Sequence, residues 1–172
     1  MADEQAHDTI TVRAARPGDL QAAAKLAATL VRQHHAYDPQ RFMSIEPLEE
    51  GYERFLRTQV DRDGVVLLVA ARCRGAGESV VGYLLGSLEE RDWSDLRDAC
   101  GKIHDLYVDE SVRLRGVATH LVEEAVARLE ALGAPRVVLM AAWRNDGARR
   151  LFERLGFRPT MLEMTREAKP RG

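Results

Sequence analysis

Residues Ile103 to Ala142 constrain this chain more than any other stretch. An apolar run, Ile103–Val108, is followed by a polar turn, then by Arg113-Leu114-Arg115-Gly116-Val117-Ala118 and a long amphipathic segment. The segment places Val117, Leu121, Val122, Ala125, Val126, Leu129 and Leu132 at helical spacing, and Gly133 and Pro135 close it. A second apolar run, Arg136–Ala142, follows at once and reads as a strand buried on both faces. Strand, helix, strand within forty residues demands a crossover, and hence a parallel pair inside the sheet. The glycine at the mouth of that helix has a further consequence. The first N–H groups of a helix lack internal partners and the dipole there favours negative charge. Gly116, with Arg113 and Arg115 before it, therefore reads as a cradle for phosphate built from main chain.

The remaining elements complete an α/β fold with a central mixed sheet and helices on both faces. Thr9–Arg13 alternates as a first strand, and Pro17-Gly18-Asp19 opens a helix to about His35. A second helix is expected over Leu48–Val60. Val65–Arg72 and Ser79–Leu88 form a hairpin around Gly75-Ala76-Gly77-Glu78. Glu89–Ala99 is polar and reads as a loop or short helix. Asp146–Leu155 is a short helix capped by Asn145 or Asp146 and ended by Gly156, and a last strand is expected at Thr160–Thr165.

Composition narrows the setting. The 172 residues suit one domain over 1–172, with a flexible tail expected at 166–172. Basic and acidic residues nearly balance, 25 against 27, which gives no reason to expect a nucleic-acid or anionic-membrane partner. The 2 cysteines, Cys73 and Cys100, form no CxxC pair and read as free thiols, so no metal site is expected. No apolar leader or spanning run is visible, and a cytoplasmic location is expected.

The phosphate segment is neither a Walker loop nor a dinucleotide fingerprint, since no Lys-Ser/Thr follows Gly116 and a third glycine is missing. A downstream pattern gives it meaning: Asn145-x-x-Ala148-x-x-Leu151-Phe152-x-x-x-Gly156-Phe157. Together with Arg113-x-x-Gly116-x-Ala118, it resembles the two signatures of the GNAT superfamily of N-acetyltransferases. The resemblance covers Ile103–Phe157 strongly and residues 1–100 only by element order. It implies that acetyl-CoA lies between two splayed strands, Ile103–Val108 and Arg136–Ala142. Its pyrophosphate would rest on the main chain of Leu114, Arg115, Gly116, Val117, Ala118 and Thr119 with Arg113 and Arg115 nearby. Its pantetheine arm would pair with the main chain of Leu106, Tyr107 and Val108. Asn145, Ala148 and Phe152 would contact the arm and its thiol end; a plain helix cap and ordinary core are the alternative readings of these three.

The chain departs from the family where a tyrosine, the expected acid for the departing thiolate, is replaced by Phe152. A thiol of pKa near 8.5 leaves unprotonated at neutral pH at a cost of about 2 kcal/mol. An alkyl ammonium of pKa near 10.4 must first lose a proton, roughly 4.6 kcal/mol at pH 7. The base therefore matters more than the acid. His104 is the candidate base, with Asp105 beside it and Tyr107 a second candidate acid; a structural strand histidine is the alternative. Strand alternation sends His104 and Asp105 to opposite faces unless a bulge intervenes. The acceptor amine, on a small molecule or a peptide, would be shaped by His34–Asp38 and Glu89–Asp98, with Trp93 and Trp143 as walls. His34 and His35 read as helix-end cations. Family habit would allow a homodimer through Thr160–Thr165. The competing functions are a non-catalytic acyl-CoA-binding or sensing module that lost its chemistry, and a nucleotide-phosphate binder of another α/β fold.

Overall fold

The computed structural model describes residues 8–168. Five strands form one sheet in the order β1-β2-β3-β4-β5: Thr9–Ala14, Val65–Arg74, Gly77–Glu89, Cys100–Val108 and Val137–Leu139. The first three junctions are antiparallel, and β4 pairs with β5 in parallel, as the crossover requires. Four helices flank it: α1 (Leu20–Tyr37), α2 (Leu48–Gln59), α3 (Val117–Ala131) and α4 (Asp146–Arg154).

Each sheet face buries a different helix layer. On one, Leu68, Leu84, Ile103 and Val108 pack against Leu121, Val122, Ala125 and Leu129 of α3 and Phe152 of α4. On the other, Leu67, Val69, Tyr83, Leu85 and Tyr107 pack against Leu20, Ala23, Ala24 and Ala27 of α1 and Leu56 of α2. The heptad-like apolar stripe of α3 thus lies on the sheet as its spacing predicts. The small residues of α1 let that helix sit close to the strands.

Two expectations need correction. The strand foreseen over Arg136–Ala142 is only Val137–Leu139, half-buried rather than enclosed, and Met140 is 72% exposed. An edge strand has one side of its ladder open, and β4 diverges from it after three residue pairs, so the apolar run outlasts its partner. The strand foreseen over Thr160–Thr165 is not formed: the segment is irregular, with Met161, Leu162 and Met164 exposed. It has no ladder partner among the described residues, and Pro159 removes a donor at its start. Of the expected tail, residues 169–172 lie outside the described residues. β4 carries a bulge, the exception on which the alternation reading of His104 and Asp105 turned. Leu85 faces Asp105 and Gly86 faces Ile103, so His104 is the extra residue.

Candidate active site

Two features of β4 frame the site. Its main chain is paired to β3 along its length, but to β5 only at Gly101, Lys102 and Ile103. Beyond Ile103 the two parallel strands part, leaving the β5-side edge of Leu106–Val108 without a strand partner among the described residues. Such an edge offers N–H and C=O groups to an extended ligand. Gly101 permits the close approach at the root of the wedge, because a Cβ there would stand 3.0 Å from Leu129 Cβ.

The wedge runs toward the start of α3. Leu114 (φ 62) and Gly116 (φ 78) both adopt left-handed backbone, coiling the chain into the helix. Gly116 caps α3 without any side-chain hydrogen bond to the first turn, and a Cβ on it would meet nothing within 4 Å. The cradle is therefore open, with its helix-terminal donors uncapped by side chains, which fits the phosphate role that the sequence implies. Its two arginines diverge. Arg113 turns to β4, where Nε donates to Val108 O at 3.2 Å, Nη2 lies 3.4 Å from Tyr107 Oη and the guanidinium sits 5.6 Å over the Tyr107 ring. Arg115 turns the other way, donating to Asp8 at 3.0 Å beside the Arg72–Asp8 pair. Arg72 and Arg115 hold the Asp8 carboxyl far below the usual carboxylate range.

On α4, the Asn145 side chain accepts from Ala148 N at 3.1 Å, so the helix-cap reading is realised. Phe152 is 8% exposed and meets Phe157 edge-to-face at 5.9 Å. Ala148 packs against the same core, which realises the core reading of both residues.

The bulge decides the chemistry on the other face. It turns both His104 and Asp105 toward the α1–α2 side, against simple alternation. His104 Nε2 lies 2.7 Å from Ser87 Oγ and 3.3 Å from Glu89 Oε1, on the neighbouring strand β3. Burial lowers the pKa of His104, Glu89 opposes, Lys102 adds to the lowering and Asp105 opposes. The imidazole is neutral at neutral pH. Asp105 accepts a hydrogen bond from the fully buried Tyr83 hydroxyl at 3.2 Å. Burial raises the Asp105 carboxyl despite that bond and the nearby His104 and His34. Burial likewise raises Tyr107 and pushes Tyr52 up to about 12, so both phenols stay protonated. Ser87, Tyr52 and Tyr83 are the residues that sequence reasoning missed. For Ser87 and Tyr83 the only signal was strand alternation carried across a bulge, while Tyr52 lies on α2, where no strand pattern reports it.

The expected acceptor elements divide. His34 Nδ1 lies 2.9 Å from Leu30 O and His35 Nδ1 2.8 Å from Phe42 O, both satisfied locally. In the acidic stretch Asp92 caps its own turn, accepting from Ser94 N and Asp95 N, and Asp98 pairs with Arg91 at 3.0 Å. Trp93 and Trp143 are 78% and 71% exposed, each with an arginine, Arg91 or Arg149, over its ring. Among the described residues no group of three or more His, Cys, Asp or Glu could hold a metal ion. No helix among them is long and apolar enough to cross a membrane.

The acetyltransferase (GNAT) family model matches residues 30–157, and the chain belongs to that family of acyltransferases. No curated protein sequence matches it. Among solved structures it is similar to a tetramutant of the BH1408 protein from Bacillus halodurans, with TM-score 0.77 and 21% identity over 92% of this chain and 99% of that one. An aminoglycoside N-acetyltransferase in complex with CoA has TM-score 0.73 and 14% identity over 96% of this chain and 98% of that one. Glucosamine-6-phosphate N-acetyltransferase from Arabidopsis thaliana has TM-score 0.64 and 16% identity over 94% and 99%. At these identities the likeness establishes the mixed-sheet fold.

Proposed function

We propose that this protein transfers an acetyl group from acetyl-CoA to a primary amine of a small molecule or peptide, by direct attack in a ternary complex. The observation that carries the reading is the β4–β5 wedge leading to the uncapped start of α3. Diphosphate is assigned to the main chain of residues 114–119, with Arg113 beside it and Arg115 contributing charge from the β1 side. The pantetheine arm is assigned to the free edge of Leu106, Tyr107 and Val108, with Asn145, Ala148 and Phe152 lining its far wall. The edge N–H groups would also stabilise the oxyanion that develops on the thioester carbonyl.

His104 takes the proton that an alkyl ammonium must lose before its nitrogen can attack the carbonyl carbon. The new C–N bond forms as the C–S bond breaks, and the electron pair leaves on the CoA sulfur. Tyr107 or water then protonates the thiolate. A depressed His104 pKa keeps the base free of protons at neutral pH, at the cost of some driving force. An acceptor bearing a cationic amine suits the partly buried Asp105 on the same face, since a nearby positive charge favours the ionised form that burial opposes.

The second reading is an acyl-CoA-binding sensor, and Phe152 favours it, since it cannot donate a proton. Turnover of acetyl-CoA against panels of amines and peptides, read by thiol release and by mass of the acceptor, separates the two. Transfer to an amine supports the enzyme. CoA binding without transfer to any panel member would establish the sensor, and preference for ATP or NAD over CoA would overturn both.

A further inference from the structure

Among the described residues His104 is held through Nε2 alone, and the way it is held fixes where its proton sits. Three polar groups converge on β3 and the β4 bulge: Glu89, Ser87 and His104. Ser87 Oγ lies 2.5 Å from Glu89 Oε1 and 2.7 Å from His104 Nε2, while Glu89 Oε1 is also 3.3 Å from the same nitrogen. The donor count leaves one solution. An ionised glutamate only accepts, a serine hydroxyl has a single proton, and each imidazole nitrogen either donates or accepts. At 2.5 Å the Ser87 proton must lie between Oγ and the carboxylate, because two oxygens facing each other with lone pairs alone would repel. Ser87 Oγ is then an acceptor toward the ring. Nε2 has two acceptor oxygens before it and must carry the hydrogen.

We propose that Glu89 and Ser87 are positioning residues that lock neutral His104 as the Nε2–H tautomer, making Nδ1 the nitrogen that receives the substrate proton. The chain of bonds runs from Nε2–H to Ser87 Oγ and from Ser87 O–H to Glu89. On proton uptake at Nδ1 the imidazolium keeps its Nε2–H bond, and the glutamate stabilises the new charge through the serine and across 3.3 Å. The Ser87 bond, above all, keeps Glu89 below the usual carboxylate range, so it is ionised at neutral pH. The charged groups facing His104 are Glu89 from β3 and Lys102 and Asp105 from β4; of these only Glu89 is joined to the ring by hydrogen bonds. Nothing in the sequence announces the arrangement, because positions 87, 89 and 104 meet only through a register shifted by the bulge.

The geometry stands without any assumption about the reaction, whereas the catalytic consequence rests on the amine-transfer reading, and the test separates them. Protein labelled with 15N-histidine is examined by long-range 1H–15N correlation at neutral pH, with His104→Gln identifying the resonance among the 5 histidines. The expected spectrum shows His104 as Nε2–H. In Glu89→Gln the amide can donate to Ser87 as well as accept from it, so the serine proton is free to turn to Nε2 and the Nδ1–H pattern appears. Wild-type protein showing Nδ1–H would overturn the assignment whatever the enzyme does. In the transfer assay Glu89→Gln is expected to lower kcat at least about tenfold with KM for acetyl-CoA unchanged. It also moves the acid limb of the rate profile to lower pH, since the charge that raises His104 is gone. An unchanged kcat and profile alongside a switched tautomer would leave the lock intact and remove His104 from the reaction.

Discussion

Replacing Gly101 with alanine tests how the wedge is built. A Cβ at this position would lie 3.0 Å from Leu129 Cβ, 3.1 Å from Leu129 Cδ1 and 3.2 Å from Val137 Cγ2. Rotating the Leu129 side chain relieves only the second contact, because its Cβ is fixed to the backbone of α3 and Leu129 is fully buried. Either α3 lifts from the sheet or β4 and β5 shift by a few tenths of an ångström, and overpacking of this kind costs about 1–3 kcal/mol. For a chain of this size each kcal/mol moves Tm by roughly 2–4 °C, so a fall of about 2–12 °C is expected. Gly101 also pairs with Val137 and donates to Arg136 O at 2.9 Å, at the root of the β4–β5 contact. Amide exchange of Val137–Leu139 should accelerate more than that of β2. The control is Gly51→Ala, in α2, where an added Cβ meets nothing within 4 Å and the backbone is ordinary. There alanine should stabilise by about 0.5–1 kcal/mol through helix propensity. Calorimetry of both variants decides the matter. Gly101→Ala melting with the wild type, or rising alongside Gly51→Ala, would refute the steric account of the wedge.

Asn145→Ala removes the acceptor for Ala148 N and should cost about 1 kcal/mol in urea unfolding. A further rise in KM for acetyl-CoA would show that Asn145 also meets the pantetheine arm. Leu121→Ala, in the fully buried centre of α3, should cost about 2–5 kcal/mol by the same measurement. Arg13 donates to both Asp19 oxygens, at 2.7 and 3.0 Å, and this pairing, with the Arg16 amide, holds the mostly buried Asp19 carboxyl below its usual range. A carboxylate depressed in the folded state contributes fully above its unfolded pKa of about 3.9 and loses that contribution as pH falls through the folded value. Asp19→Asn should therefore unfold more easily at pH 7, by about 1–3 kcal/mol. The gap to wild type should close as the pH drops below 4; a gap independent of pH would contradict the ion-pair origin.

The second half of the fold was legible because its signals are local. The α3 stripe, Gly116 at its mouth, Gly133 behind it and the Asn145 cap each need only a few neighbouring residues. The same locality misled at the ends of the sheet. Arg136–Ala142 and Thr160–Thr165 carry strand-forming residues, yet a strand exists only where a partner edge lies alongside, and propensity does not report the partner. The open β4 edge and the uncapped start of α3, to which the cofactor is proposed to bind, were legible for the reason α3 was: they are main chain, and glycine marks where main chain is needed. The acceptor side was not. His104 could be picked out, but its direction depends on one extra residue in β4 relative to β3, and its partners lie at positions 87 and 89 across that junction.

That bulge is also what allows one strand to serve both halves of the proposed reaction. A strand presents hydrogen-bonding groups in the plane of the sheet and side chains perpendicular to it. The edge of Leu106–Val108 faces the wedge in that plane, so the cofactor recognition proposed there would be insensitive to which side chains the residues carry. Regular alternation would leave only one of residues 104 and 105 on the α1–α2 face. With His104 bulged, imidazole and carboxylate stand together on it, each with its own β3 partner: Ser87 for His104 and Tyr83 for Asp105. Deleting the bulge would therefore separate the two functions physically. A β4 shortened by one residue at position 104 should keep the open edge and bind CoA, but lose the histidine and with it amine deprotonation. Retained CoA affinity with transfer that recovers only at high pH, where the amine loses its proton unaided, is the outcome this architecture requires.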